Sequence, residues 1–113
     1  GYLHATTEQT AELIHRINRE NVGMQFDFYH LQRMQGDLVR AFRDHQSIIS
    51  HVQLSSVPGR HEPQYGEVNA HFVLSEIDAA GYAGWVGCEY WPKAGTLQGL
   101  GWAERYGIKV DPE

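Results

Sequence analysis

Residues 24–29 read Met24-Gln25-Phe26-Asp27-Phe28-Tyr29. Extended backbone sends Met24, Phe26 and Phe28 to one face and Gln25, Asp27 and Tyr29 to the other. The stretch Val22 to Tyr29 is short and rich in aromatic and apolar residues, so it is predicted as a strand. Two later stretches repeat its parity. In Ile48 to Leu54, Val52 and Leu54 oppose His51 and Gln53. In Trp85 to Tyr90, Val86, Cys88 and Tyr90 oppose Trp85, Gly87 and Glu89. Each strand therefore has an apolar face suited to helices and a second face with a polar group near its C-terminal end. Those groups are Asp27, Gln53 and Glu89, each about one βα unit of ~30 residues from the next.

Helical patterns fill the intervals. Thr6 to Ile17 carries Leu13, Ile14 and Ile17 at helical spacing, and Thr6 with Gln9 reads as a capping box. Gly36-Asp37 opens a second helix with Leu38, Val39 and Phe42 on one face. Ser55 to Val68 is a polar loop containing Pro58, Gly59, Pro63 and Gly66. Asn69 is the expected N-cap of a third helix bearing Phe72, Val73, Leu74 and Ile77, which Gly81 stops. Pro92 to Gly99 is a loop, and Gly99 to Tyr106 a last short helix. The order α-β-α-β-α-β-α implies a parallel sheet in one α/β domain spanning 1–113. Helices on one side of so small a sheet leave its other face and both edges uncovered.

Composition excludes several classes. With 42% hydrophobic and 20% charged residues the chain is globular rather than disordered. No apolar run approaches the ~18 residues of a membrane span, so no membrane partner is expected. The net charge of −5 argues against a nucleic-acid partner, which needs clustered Lys and Arg. The one cysteine, Cys88, rules out an internal disulfide and fits a reducing, cytoplasmic setting. Its parity predicts a thiol packed against the helices rather than a nucleophile. No basic region followed by an apolar stretch opens the sequence, so a secretory leader is not expected.

Ligand sites of parallel α/β folds lie at the C-terminal ends of the strands. Asp27, Gln53 and Glu89 supply two carboxylates and an amide carbonyl, oxygen donors that suit Mg²⁺ or Mn²⁺ better than zinc. Such an ion polarises a carbonyl while a carboxylate moves the neighbouring α-proton. The other reading makes them strand-end groups that cap helices. His30 either orients a substrate oxygen and shuttles a proton or is a loop histidine bonded to backbone. Arg60, His61 and Glu62 either clamp an anionic substrate, since Arg binds carboxylate bidentately, or form a solvated charge cluster. His51 reads as a supporting group beside Gln53 or a satisfied core histidine. Lys93 reads as a carboxylate holder or a surface lysine.

At these residues the sequence resembles hydroxypyruvate isomerase, a group of the xylose isomerase-like barrels. The resemblance is carried by Gln25 to His30, His51-Val52-Gln53, Pro58-Gly59-Arg60-His61-Glu62-Pro63, Gly66-Glu67-Val68-Asn69, Gly81-Tyr82 and Gly84 to Tyr90. It runs from Gly1 to about Trp102, and the Pro-Gly-Arg-His-Glu-Pro loop is its specific part. It implies aldose–ketose isomerisation of hydroxypyruvate to tartronate semialdehyde through a metal-stabilised enediolate. It implies metal ligation by Asp27, Gln53 and Glu89, proton transfer by Glu89, and substrate contacts from His30 and Arg60.

A complete (β/α)₈ barrel needs about 250 residues. The resemblance therefore implies a partial barrel of three strands, the C-terminal part, from the fifth helix through the eighth strand and helix. The glutamate that ends strand five in the family, a second acid/base and fourth metal ligand, is then missing from this chain. The open edges predict completion by oligomerisation or by a complementary barrel fragment. Two functions compete on this footing. One is an isomerase acting on a small hydroxy-carbonyl acid, with His61 and Lys93 joining Arg60 at the substrate. The other is a non-catalytic oligomeric scaffold that keeps a small-anion site. A repair endonuclease, suggested only by fold relatives, stands last on charge.

Overall fold

In the computed structural model, which describes residues 3–110, α1 (Thr7–Ile17) begins at the expected capping box. The Thr6 hydroxyl accepts the Gln9 N–H at 3.3 Å, and Gln9 Oε1 accepts the Thr6 N–H at 3.2 Å. Its buried ridge is Thr7, Ala11 and Ile14, whereas Ile17 stands exposed. That ridge follows i, i+4, i+7, the spacing that keeps one line of side chains against a neighbour. The chain then enters β1 (Met24–Asp27), shorter than the strand expected over Val22 to Tyr29. Phe28 and Tyr29 belong instead to α2 (Phe28–Met34), which the sequence pattern concealed. The Asp27 side chain accepts the His30 N–H at 3.1 Å and so caps this helix. A local cap here prevails over the strand preference of the aromatic run.

The second expected helix is α3 (Leu38–His45), entered through left-handed Gly36 and Asp37. A 3₁₀ turn, Gln46–Ile48, leads into β2 (Ile49–Leu54). The loop ends at Asn69, whose side chain accepts the Phe72 N–H at 3.0 Å and caps α4 (Ala70–Ala79). Ala70, Val73 and Ile77 are buried while Phe72 faces solvent, which corrects the expected apolar face. Gly81, at φ +82°, ends this helix as its sequence position predicts. The third strand, β3 (Val86–Cys88), is three residues long instead of the six in Trp85 to Tyr90. Gln98–Tyr106 is a 3₁₀ helix.

The sheet is parallel, in the order β1-β2-β3, so β1 and β3 are edges. Its apolar parity holds in β1 and β2, whereas Val86 and Cys88 on the helix-facing parity of β3 are exposed. Met24, Phe26, Val52 and Leu54 are buried with Ile14, Leu38, Phe42, Val73 and Ile77 in one core between sheet and helices. Phe26 meets Phe28 and Phe42 edge-to-face, at centroid separations of 6.1 and 5.5 Å. Gln25 on the opposite face is exposed, and His51 and Gln53 are half-buried. No helix among the described residues is long and apolar enough to cross a membrane.

Cys88 overturns its expectation, because it is exposed. It lies on the helix side of an edge strand, in an open groove with Leu54, Leu74, Val86, Trp102 and Ile108. These neighbours withdraw water from the thiol and push its pKa above the ordinary value. Alkylation by iodoacetamide, which needs the thiolate, should therefore be slower than for free cysteine at pH 8 and should rise with pH later. A rate equal to free cysteine across that range would contradict the desolvation.

Candidate functional site

Strand register builds the site. Asp27 is paired with Gln53, and Gln53 with Gly87. The Glu89 N–H donates to the Leu54 carbonyl at 3.2 Å, which carries the β2–β3 pairing one step past the strand and brings Glu89 beside Gln53. Gln53 Nε2 then donates to Glu89 Oε2 at 3.1 Å. On its other side, Gln53 Oε1 stands 2.9 Å from His51 Nε2, so the imidazole donates from Nε2. Gly87 makes this possible, because a Cβ there would come within 2.8 Å of both Gln53 Oε1 and His51 Nε2. His51 thus supports Gln53, one of the two readings its sequence position left open.

The loop after β2 delivers the cation. Arg60 adopts φ +53°, a left-handed conformation uncommon for a side-chain-bearing residue, and its N–H donates to the Ser56 carbonyl at 2.9 Å. Its guanidinium lies 3.0 Å from Glu89 Oε1 and 4.9 Å from the centre of the Tyr29 ring. Glu89 is therefore held from two directions, by an amide and by a guanidinium. The Tyr29 ring sits under Arg60 because α2 starts immediately after β1. Reading Tyr29 as a strand residue hid this role. Its hydroxyl accepts from Arg33 at 3.0 Å. His30 is half-buried beside it, the two rings edge-to-face at 5.2 Å.

Asp27 ends its strand as expected, and its carboxylate is engaged as the α2 cap. His61 is tied down by backbone: Nδ1 donates to the Trp91 carbonyl at 2.7 Å and its N–H donates to Ser56 Oγ at 3.0 Å. Lys93 lies elsewhere in this cluster, its ammonium 4.5 Å from the Tyr65 ring centre. Glu62, grouped in the sequence with a charged surface, is instead fully buried. The apolar residues around the loop carried no signal of that burial.

The donor set agrees in kind with a hard divalent ion: carboxylate, amide and carboxylate on three successive strand ends. Asp27, Gln53 and Glu89 are the residues that would hold it. In the arrangement observed, Gln53 turns its N–H toward Glu89 and its carbonyl toward His51, so ligation requires that amide to rotate. Among the described residues no three His, Cys, Asp or Glu side chains gather into a metal cluster.

Known proteins share this architecture. A family model described as xylose isomerase-like TIM barrel matches residues 1–106. The 2-oxo-tetronate isomerase of Pectobacterium atrosepticum is 47% identical over 104 residues, covering 92% of this chain and 40% of that protein. The hydroxypyruvate isomerase of Escherichia coli is 38% identical over 106 residues, covering 94% of this chain and 41% of that protein. The crystal structure of an AP endonuclease, family 2, from Brucella melitensis matches with a TM-score of 0.90 at 45% identity, covering 94% of this chain and 41% of that one. The chain spans about 40% of the length of these relatives, and its three parallel strands with their helices make a partial barrel. It belongs to the xylose isomerase-like TIM barrel family.

Proposed function

We propose that this chain carries part of the active site of an isomerase acting on a short 2-oxo acid with a hydroxyl on the adjacent carbon. Hydroxypyruvate is the simplest such substrate, and tartronate semialdehyde its product. The observation that carries the reading is the Glu89 carboxylate, held between the Gln53 amide and the Arg60 guanidinium at the C-terminal ends of parallel strands. The names of the hydroxypyruvate and 2-oxo-tetronate isomerases support it.

Glu89 takes a proton from the hydroxymethyl carbon of hydroxypyruvate, leaving an enediolate. A proton returned to the former carbonyl carbon, with the hydroxyl proton moved between the two oxygens, completes an isomerisation with no net gain or loss of atoms. Arg60 offers the substrate carboxylate a planar pair of N–H donors, and His61 stands next to it. His30 orients the reacting oxygen. Mg²⁺ or Mn²⁺, held by Asp27, Gln53 and Glu89, supplies electrophilic stabilisation of the developing oxyanion when bound. Lys93, stacked on Tyr65, serves substrate binding only if it leaves that ring. The single cysteine supports a cytoplasmic setting.

Two open strand edges and a solvent-facing polar side of the sheet favour a working unit larger than one chain, whether with further copies or with the remaining barrel strands. Light scattering over a range of concentrations should give a mass above 12.9 kDa; a monomer at all concentrations would overturn self-association. Hydroxypyruvate turnover with Mg²⁺ or Mn²⁺ should then appear in the assembled form. No turnover by a folded, metal-loaded assembly would refute the isomerase. The second reading, a non-catalytic oligomeric module with a small-anion site, is favoured by one observation. Asp27 is committed to capping α2, so Glu89 is the one strand-end carboxylate with a side chain well exposed to a substrate. The net charge of −5 argues against carrying over the nuclease name of the Brucella protein.

A further inference from the structure

Glu62 is a carboxylate buried to 1% exposure, and it has no ion pair among the described contacts. Burying a carboxylate is costly unless hydrogen bonds offset the loss of water. Its offset is backbone: the Lys93 N–H reaches both carboxylate oxygens, at 3.2 and 3.3 Å. Gly99 closes the other side, since a Cβ there would run into Glu62 Oε1. The neighbouring bonds form a ladder between two loops. Arg60 meets Glu89 through its side chain, the Trp91 N–H donates to the Arg60 carbonyl at 2.8 Å, and His61 Nδ1 donates to the Trp91 carbonyl. Glu62 to Lys93 is the last and most buried rung.

We infer that Glu62 is a positioning residue, which locks the loop bearing Arg60 onto the chain leaving β3 and so fixes Arg60 against Glu89. The inference rests on the reading that Arg60 and Glu89 serve one site, though the ladder itself does not depend on substrate. Three consecutive loop residues, 60 to 62, answer residues 89 to 93 on the far loop. Only Glu62 among them is withdrawn from solvent.

The test is amide hydrogen exchange on the whole chain, with the Arg60 Nε–H signal followed by NMR. Glu62→Ala should lower protection of the Lys93 and Trp91 amides about tenfold, the loss of roughly one hydrogen bond. Gly99→Ala, which keeps the carboxylate but displaces it, should do the same and also shift the Arg60 signal. Glu62→Gln, which keeps volume and one acceptor, should restore most of the protection. Ile14→Ala, in the core at α1, controls for general destabilisation and should leave the Arg60 signal in place. Unchanged Trp91 and Lys93 protection in both Glu62→Ala and Gly99→Ala would overturn the inference. So would an Arg60 shift reproduced by Ile14→Ala. If Glu62→Ala fails to fold, Gly99→Ala and Glu62→Gln decide alone. Where the assembly turns over hydroxypyruvate, Gly99→Ala should raise KM about tenfold with little change in kcat. Absence of turnover in the wild type would count against the isomerase reading and leave the exchange result standing.

Discussion

Glu89→Gln should lower hydroxypyruvate turnover by about 10²–10⁴-fold in the assembled protein, the range a positioned acid–base group contributes. Stability should hardly move. The substitution preserves shape and leaves Gln53 Nε2 an oxygen to donate to. What it removes is the charge on a side chain 59% exposed, facing an Arg60 side chain 26% exposed. A pair so accessible to water contributes at most ~1 kcal/mol. Steady-state kinetics and a urea melt on the same preparation separate the two effects. A variant that keeps its turnover would remove Glu89 from the chemistry. A variant that loses assembly together with activity would show that Glu89 serves the interface.

Phe26→Ala should produce the largest loss of stability of any single truncation in the core. The ring is fully buried and touches Phe28 and Phe42 edge-to-face. Phe42 in turn meets Tyr82 at 5.9 Å, so one aromatic line ties β1 and α2 to α3 and to the approach to β3. Removing a buried phenyl group leaves a cavity and typically costs about 3–5 kcal/mol. Against the ~5–15 kcal/mol of an ordinary domain, that is about a fifth of the stability or more. The midpoint of urea unfolding reports it. A loss below ~1 kcal/mol would mean that the site refills or that the aromatic line is not formed. The substitution also tests the site indirectly, since β1 carries Asp27 and starts the helix that holds Tyr29.

The strands were legible because their period is local. Met24 and Phe26 in β1, and Val52 and Leu54 in β2, reach the core as the alternation predicts. Cap residues were legible for the same reason: Thr6 with Gln9, and Asn69 with Phe72, complete their bonds within one turn of chain. Strand ends were harder. Phe28 and Tyr29 look like strand residues by type, yet the Asp27 side chain offers the next three residues a helix start, and the helix takes them. Cys88 has helix-facing parity but sits on an edge strand, where parity does not guarantee a cover. Among the candidate site residues, Asp27, Gln53 and Glu89 stand at strand ends, as their spacing predicted. Lys93 rests on Tyr65, a contact no spacing encodes.

The sequence by itself determined that strands alternate with helices and run parallel, the helix caps at Thr6 and Asn69, and the resemblance that identifies the family. Each depends on residues within a few positions of one another or on motif identity. Tertiary structure alone decided that Arg60 pairs with Glu89 over Tyr29, that His51 steadies Gln53, and that Glu62 is buried under Lys93 and Gly99. Most of those contacts join loops about 30 residues apart in the chain. These long-range contacts exist only once the β1–β2–β3 register is set and the left-handed turn at Arg60 directs its side chain toward β3. Periodicity carries no information about either event.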